Sequence, residues 1–122
     1  MFFEDELFDW IDRSLSEPID PSVIAFSFDL YVPYGIELVG SSLFNLKNKD
    51  WSNSEDFVPS QRGIDIPEEV CSGSQKECLQ TIKALIEKYL ASNRPGARVL
   101  LSSKGFAIGF VDGDLEIIRH ER

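Results

Sequence analysis

Carboxylates are the most abundant side chains in this sequence that can do chemistry. Asp and Glu number 21 against 12 Lys and Arg, so acid–base catalysis and cation binding are the first chemistries to consider. Asp112, Asp114 and Glu116 stand at alternate positions and resemble a fragment of a calcium-binding loop. Asp112-Gly113 between two alternating apolar runs is also the pattern of a hairpin turn, which accounts for the same residues. We therefore expect no metal ion and no cofactor.

Nucleophilic catalysis needs a base beside a serine or cysteine, and this sequence supplies one histidine, His120. His120 lies at the end of the last apolar run, where catalytic geometry is poorly held. Gly105 and Gly109 lie inside an alternating run rather than before a helix, so they do not form a phosphate-binding or dinucleotide-binding motif. We expect a protein that is not an enzyme.

The two cysteines, Cys71 and Cys78, are seven residues apart, without a CxxC spacing or a nearby histidine. This spacing does not match a zinc site or a thioredoxin-like motif. The first ten residues carry acids where a secretory signal carries bases, and no apolar run approaches the roughly 18 residues of a membrane span. We expect a cytoplasmic protein with two free thiols, because the cytosol keeps thiols reduced.

Negative charge is concentrated in the first part of the chain. Residues 1–69 hold 15 acidic and 4 basic side chains, a net −11, whereas residues 70–122 hold 6 and 8, a net +2, giving −9 together. Such a surface repels nucleic acid and anionic membranes, and it attracts a basic protein and accelerates its encounter. The simpler alternative is that the negative charge maintains solubility.

Hydrophobic periodicity predicts the secondary structure of the first 44 residues. Apolar residues at three- and four-residue intervals predict a helix over Glu4–Ser16, which ends before Pro18. Two-residue alternation predicts a strand over Ser22–Val32 and a second over Ile36–Phe44, joined as a hairpin.

Residues 45–73 lose this periodicity and collect Asn, Ser, Asp, Pro and Gly around a few apolar residues. They predict a long loop, unless a short strand near Phe57 or Ile64 lies within it. Loops of this length are uncommon in compact domains and are often functional.

Three segments in the last third of the chain have patterns that predict secondary structure. Ser74-x-x-Glu77 is a capping box and predicts the start of a helix that continues through the apolar positions up to Leu90. Residues 95–102 fit either a short third helix or a strand. Two alternating runs around Asp112-Gly113 predict a hairpin with a type I′ turn, since glycine accepts positive φ without strain.

Together these elements predict one α+β domain over residues 1–122. The expected architecture is a four-stranded antiparallel sheet made from the two hairpins, with two or three helices packed on one face. The element order is α-β-β-loop-α-(α)-β-β. Alternation with one polar side predicts that the other face of the sheet is exposed to water.

The remaining functional argument concerns an acidic surface that bears aromatic residues. Tyr and Trp are enriched at interface hot spots, and surrounding acids steer a basic partner. We predict a partner-binding surface from the exposed sheet face, joined by Glu116 or His120 according to register, and from the long loop: Asp29, Tyr31, Glu37, Asp50, Trp51, Glu55, Asp56, Asp65, Glu68 and Glu69. The alternative for Trp51 is an apolar anchor that pins the loop to the core.

The first hairpin, Val23–Tyr31 with Ile36–Gly40, and the closing stretch Gly109–Ile118 resemble small bacterial immunity proteins of polymorphic or contact-dependent growth-inhibition toxin systems. The resemblance covers about a quarter of the chain and lies in strands, so it carries over no functional residue. It implies a cytoplasmic protein that binds a cognate toxin domain, commonly a nuclease, and blocks its site. Two alternatives stay open: a small carboxylate-based or metal-dependent enzyme, and an adaptor for another basic protein.

Overall fold

The computed structural model of this protein describes residues 2–120. Within that range the helices are α1 (Phe2–Leu15), α2 (Gln75–Leu90) and α3 (Pro95–Ser102), and a short 3-10 helix spans Lys49–Asn53. The strands are β1 (Ala25–Tyr31), β2 (Gly35–Ser41), β3 (Gly63–Asp65), β4 (Gly105–Phe110) and β5 (Leu115–His120). The α+β class is therefore confirmed, and residues 95–102 form a helix with Pro95 in its first turn.

The sheet differs from the predicted one. It has five strands in the order β3-β2-β1-β4-β5, and β1 pairs with β4 in parallel while the other neighbours are antiparallel. The prediction of a four-stranded antiparallel sheet is wrong. The two hairpins were predicted correctly, but α2 and α3 return the chain so that β4 runs alongside β1 in the same direction. Every residue of β4 is buried, as is typical of a strand with a parallel neighbour that is covered on both faces.

The segment 45–73 contains more regular secondary structure than the predicted long loop. Ile64 lies in β3, which pairs with β2, and Phe57 forms an isolated antiparallel bridge with Gly40. The alternative of a short strand hidden near Phe57 or Ile64 is therefore confirmed. Both residues are buried, so the apolar side chains scattered in this segment hold it against the sheet.

The cysteines form a disulfide, and the prediction of two free thiols is wrong. Cys71 precedes α2, Cys78 lies in its first turn, and their Cα atoms are 4.7 Å apart. The Ser74 capping box closes as predicted, with the Ser74 hydroxyl accepting from the Glu77 N–H and the Glu77 carboxylate accepting from the Ser74 N–H. This cap reverses the chain just after Cys71, which brings the two sulfurs together despite the unremarkable sequence spacing.

The β4–β5 hairpin forms, but its turn is not type I′. No glycine in residues 2–120 has a positive φ. The connection Val111–Asp114 is four residues long, and the Gly113 N–H donates to the Phe110 carbonyl at 2.9 Å. The longer connection lets an ordinary turn reverse the chain, so the left-handed conformation that the prediction assigned to Gly113 is not needed.

The helices cover one face of the sheet. The core there is built from large apolar side chains of α1, α2 and the strands, among them Trp10, Phe28, Ile82, Tyr89 and Phe106. We call the opposite face the second sheet face. It holds a much smaller cluster, centred on Ala25, Ala107 and the loop residue Trp51.

Candidate functional site: an acidic cleft on the second sheet face

Half of the second sheet face is covered by the segment that follows β2. Trp51 is only 3% exposed and packs with Phe44, the two ring centroids lying 5.0 Å apart. A Cβ on Gly105 would overlap the Phe44 ring, so glycine is required for this approach. The sequence left two roles open for Trp51. Its burial favours the anchor over direct contact with a partner.

The other half of this face carries polar side chains in two rows across the strands. In one row Asp29 of β1 lies opposite Glu37 of β2, which lies opposite Gly63 of β3. In the next row Tyr31 of β1 lies opposite Gly35 of β2, which lies opposite Asp65 of β3. The period of two in β1 and β2 places these side chains on one face, as the alternation predicted.

A cleft of about 460 Å³ opens beside the Asp29–Glu37 row, and we call it the acidic cleft. The strands supply Asp29 and Glu37, and the 3-10 helix region supplies a second wall. The β4–β5 turn supplies a third wall with both apolar and acidic residues. Its lining comprises Asp29, Glu37, Lys49, Asp50, Ser52, Asn53, Glu55, Arg62, Phe110, Val111, Gly113, Asp114 and Leu115.

Arg62 bridges two carboxylates at the rim of the acidic cleft. Its Nε donates to Glu37 Oε2 at 2.8 Å, while Nη1 and Nη2 donate to the two Glu55 oxygens at 2.9 and 2.6 Å. These bonds hold the pKa of the Glu55 carboxyl below its usual range. Arg62 and Glu55 are both well exposed, so this pair contributes little to stability.

Asp29 is a weakly compensated carboxylate of the acidic cleft. It is half-buried, and among residues 2–120 it accepts one hydrogen bond, from the Ser27 hydroxyl at 2.7 Å. Burial raises the pKa of the Asp29 carboxyl, and the charges of Glu37 and Glu55 reinforce that effect. The Ser27 hydrogen bond and the charge of Arg62 oppose it. The Asp29 carboxylate would therefore be stabilised by an added positive charge.

The structure brings together some of the predicted surface residues. Asp29, Glu37, Asp50 and Glu55 line the acidic cleft. Tyr31 and Asp65 line a neighbouring recess of about 410 Å³ at β3. Burial raises the pKa of the Tyr31 hydroxyl, and the charges of Glu37 and Asp65 add to the effect.

Other predicted residues have different positions. Asp56 accepts hydrogen bonds from Ser54 and from the backbone and hydroxyl of Ser42, and these lower the pKa of its carboxyl while they close the loop. Glu68 and Glu69 belong to the turn after Pro67 and line neither recess.

The expectation that Glu116 or His120 joins the exposed face is wrong for Glu116. Glu116 lies opposite Ile108, on the helix side, and accepts from Lys83 of α2 at 2.9 Å. His120 lies opposite Gly105, at the end of β4 remote from the acidic cleft. The bulge between Phe106 and Ala107 sets this register, and the sequence carries no clear signal for it.

Sequence reasoning missed the two cations and the apolar wall of the cleft. Lys49 and Arg62 lie in the segment predicted as a loop, and Val111 and Asp114 lie in the turn that was interpreted only as a hairpin connection. Arg62 had one usable signal, since it is one of only four cations in the first 69 residues. Within residues 2–120, no group of three or more His, Cys, Asp or Glu side chains is arranged to hold a metal ion.

Comparison of the chain with family models, with curated proteins and with solved structures finds no significant match. The helices described over residues 2–120 include none with the length and apolar character needed to cross a membrane. The functional argument therefore rests on the acidic cleft and on the distribution of charge.

Proposed function

We propose that this protein binds a basic protein partner through the acidic cleft, and that the partner is a toxin domain which it neutralises as an immunity protein. The observation that carries the proposal is the charge of the cleft. Five carboxylates (Asp29, Glu37, Asp50, Glu55 and Asp114) line it with two cations (Lys49 and Arg62), which leaves a formal net charge of −3.

The charge of the whole chain supports the same partner. A nuclease must present cationic surface to phosphate, and an acidic inhibitor can occupy that surface as a mimic of the nucleic-acid backbone. With a net charge of −9, this protein would be steered toward such a surface over distances of about a Debye length. The resemblance of its strands to immunity proteins supplies the class of partner, and the charge supplies the mode of binding.

The compartment of this encounter stays a prediction. The sequence favours the cytoplasm. The Cys71–Cys78 disulfide favours an oxidising compartment, because the cytosol keeps thiols reduced. Thiol labelling of the protein in intact cells, with and without a reductant, distinguishes the two. Labelling of both cysteines before reduction would support the cytoplasm, and labelling only after reduction would support an oxidising compartment.

The test is co-purification with the product of the neighbouring gene, followed by association kinetics at low and high salt. The cleft variant carries Asp50→Lys and Glu55→Lys, and the matched control carries Glu68→Lys and Glu69→Lys, which is the same change of charge outside the cleft. We expect the cleft variant to lose protection against the toxin and the control to lose only part of the association rate. Equal effects of the two variants would show that overall charge acts without the cleft.

A carboxylate-based enzyme is the second candidate, because a carboxyl of raised pKa beside a second carboxylate is the arrangement of a general acid and base. This candidate requires turnover of a small substrate by the isolated protein. In a hydrolase substrate screen, Asp29→Asn and Glu37→Gln would each lower turnover by about 10²-fold or more. Turnover that is unchanged in both variants would exclude the cleft as an active site.

A further inference from the structure

The acidic cleft lies at the carboxyl ends of two paired strands, β1 and β4, whose connections lead to opposite edges of the sheet. β1 and β4 run in parallel as neighbours, but the chain turns from β1 to β2 on one side and from β4 to β5 on the other. Both connections are hairpins, so the loop after β4 stands beside the end of β1 and walls the cleft there. Asp29 lies near the end of β1, Phe110 is the last residue of β4, and Val111–Asp114 follow it. The topology therefore brings the acidic residues of β1 and β2 next to the apolar residues around the β4–β5 turn.

Two like charges lie side by side along this recess. Asp29 and Glu37 are directly opposite in the β1–β2 pairing, an arrangement that destabilises a sheet. Arg62 compensates Glu37 through Oε2 and uses its other donors on Glu55. Among the contacts of residues 2–120, Asp29 Oδ2 and Glu37 Oε1 accept no hydrogen bond. One oxygen on each of two adjacent carboxylates is therefore open to an incoming cation.

An apolar wall stands beside these open oxygens. Phe110, Val111 and Leu115 line the cleft, and Val111 is 66% exposed. Long cationic side chains bury an aliphatic stem along apolar surface and keep the charged head near polar groups. A free inorganic cation would leave the exposed Val111 without an apolar contact, whereas a basic amino acid side chain uses both surfaces.

The arrangement of the open oxygens distinguishes the two basic side chains. A guanidinium binds best to both oxygens of one carboxylate, and Arg62 already occupies that position on Glu55. Single oxygens on two different carboxylates suit an ammonium, whose three donors rotate freely. We propose that the acidic cleft holds one lysine side chain of the partner, its ammonium between Asp29 and Glu37 and its stem against Val111 and Leu115. The inference rests on the proposed function, because this lysine belongs to the partner's surface.

The experiment is an NMR titration of the full ¹⁵N-labelled chain with three probes: the Nα-acetyl methylamides of lysine, arginine and norleucine. We expect saturable shifts with the lysine probe at the amides of Asp29, Glu37, Val111 and Leu115, with weaker binding of the other two. Asp29→Asn should weaken the lysine probe about tenfold, as expected for loss of a charged hydrogen bond. Asp65→Asn, on the same face outside the cleft, should leave it unchanged, and the spectra themselves report that each variant is folded.

Three results would overturn the lysine assignment: equal shifts with norleucine, tighter binding of arginine, or lysine binding that is indifferent to Asp29→Asn. The outcome is separable from that of the proposed function. Capture of a basic toxin with no response to the lysine probe would contradict the lysine assignment and leave the proposed function supported. Lysine binding at Asp29 without capture of any basic protein would remove the proposed function and leave the preference of the cleft intact.

Discussion

Two pairs of carboxylates in this protein differ in how the chain compensates them. On α1, Asp12 accepts from Arg94 at 2.9 Å, from the Gly96 N–H at 3.2 Å and from the Tyr89 hydroxyl, and Asp9 accepts from the same Arg94 at 3.2 Å. Burial and the bond to Asp12 raise the pKa of the Tyr89 hydroxyl well above its ordinary value. Both oxygens of Asp12 are thus bonded within the fold, while Asp9 is a more exposed partner of the same arginine.

Asp29 and Glu37 on the second sheet face have fewer partners. Among residues 2–120, Asp29 accepts a hydrogen bond only from the Ser27 hydroxyl, and Glu37 shares Arg62 with Glu55. The difference follows from what packs above each pair. α2 and α3 lie against α1 and bring donors more than 75 residues away in sequence, whereas the three α-helices described pack on the opposite face of the sheet from the Asp29–Glu37 row. Acidic clusters therefore have to be judged by their remaining capacity for a cation rather than by their charge.

The largest expected effect is the loss of stability in Asp12→Ala. The substitution leaves the fully buried Tyr89 without its acceptor and removes the partner of Arg94 and of the Gly96 N–H. We expect the free energy of unfolding to fall by about 2–3 kcal/mol, measured by urea denaturation. The matched control is Asp9→Ala, whose side chain is 61% exposed and whose loss should cost less than about 1 kcal/mol. Equal losses would mean that Asp12 is not specially partnered.

The next prediction compares the two arginines. Arg94→Met removes both bonds to α1 and the stacking of the guanidinium 5.2 Å from the Phe8 ring, so it should cost about 1–2 kcal/mol. Arg62→Met should cost less than about 1 kcal/mol, because its partners are exposed. It should also accelerate association with a basic partner, since the cleft becomes more negative. If Arg62→Met lowers the free energy of unfolding as much as Arg94→Met does, Arg62 stabilises the fold, and the proposed difference between the two pairs of carboxylates is wrong.

Local sequence signals were enough to predict most of the elements. The Ser74-x-x-Glu77 box marked the start of α2, because both hydrogen bonds of that cap are made within four residues. Alternation in β1 likewise placed Asp29 and Tyr31 on one face, since the period of two depends only on the strand itself. These predictions needed no knowledge of what packs against each element.

Pairings between distant segments could not be predicted in this way. The parallel β1–β4 pair depends on the path of α2 and α3, and the three-residue β3 is too short to show a period. For the same reason, the acidic residues of the candidate site were predicted but the contacts between them and distant residues were not. The sequence identified Asp29, Glu37, Asp50 and Glu55, but the position of Arg62 against them depends on the β2–β3 pairing, which brings residues 25 apart into contact.

The smallest expected effect is a gain of stability in Asp29→Asn, and its dependence on pH is the sharpest test of the comparison. Because the pKa of Asp29 is raised in the folded state, the native protein binds more protons there than the unfolded chain, and stability falls as pH rises through the folded pKa. At neutral pH, the uncharged amide of the Asp29→Asn variant is not repelled by Glu37. The free energy of unfolding should therefore be about 0.2–1 kcal/mol higher than that of the wild type.

Below the ordinary aspartate pKa of 3.8, Asp29 is protonated in both states, so the difference between the variant and the wild type should vanish. Urea denaturation of both proteins across the acid range measures it. Asp65→Asn, which removes the same charge at the exposed end of β3, is the matched control for the change in net charge. A loss of stability in Asp29→Asn at neutral pH would mean that the carboxylate is already compensated within the fold, and that the acidic cleft has no remaining capacity for a partner's cation.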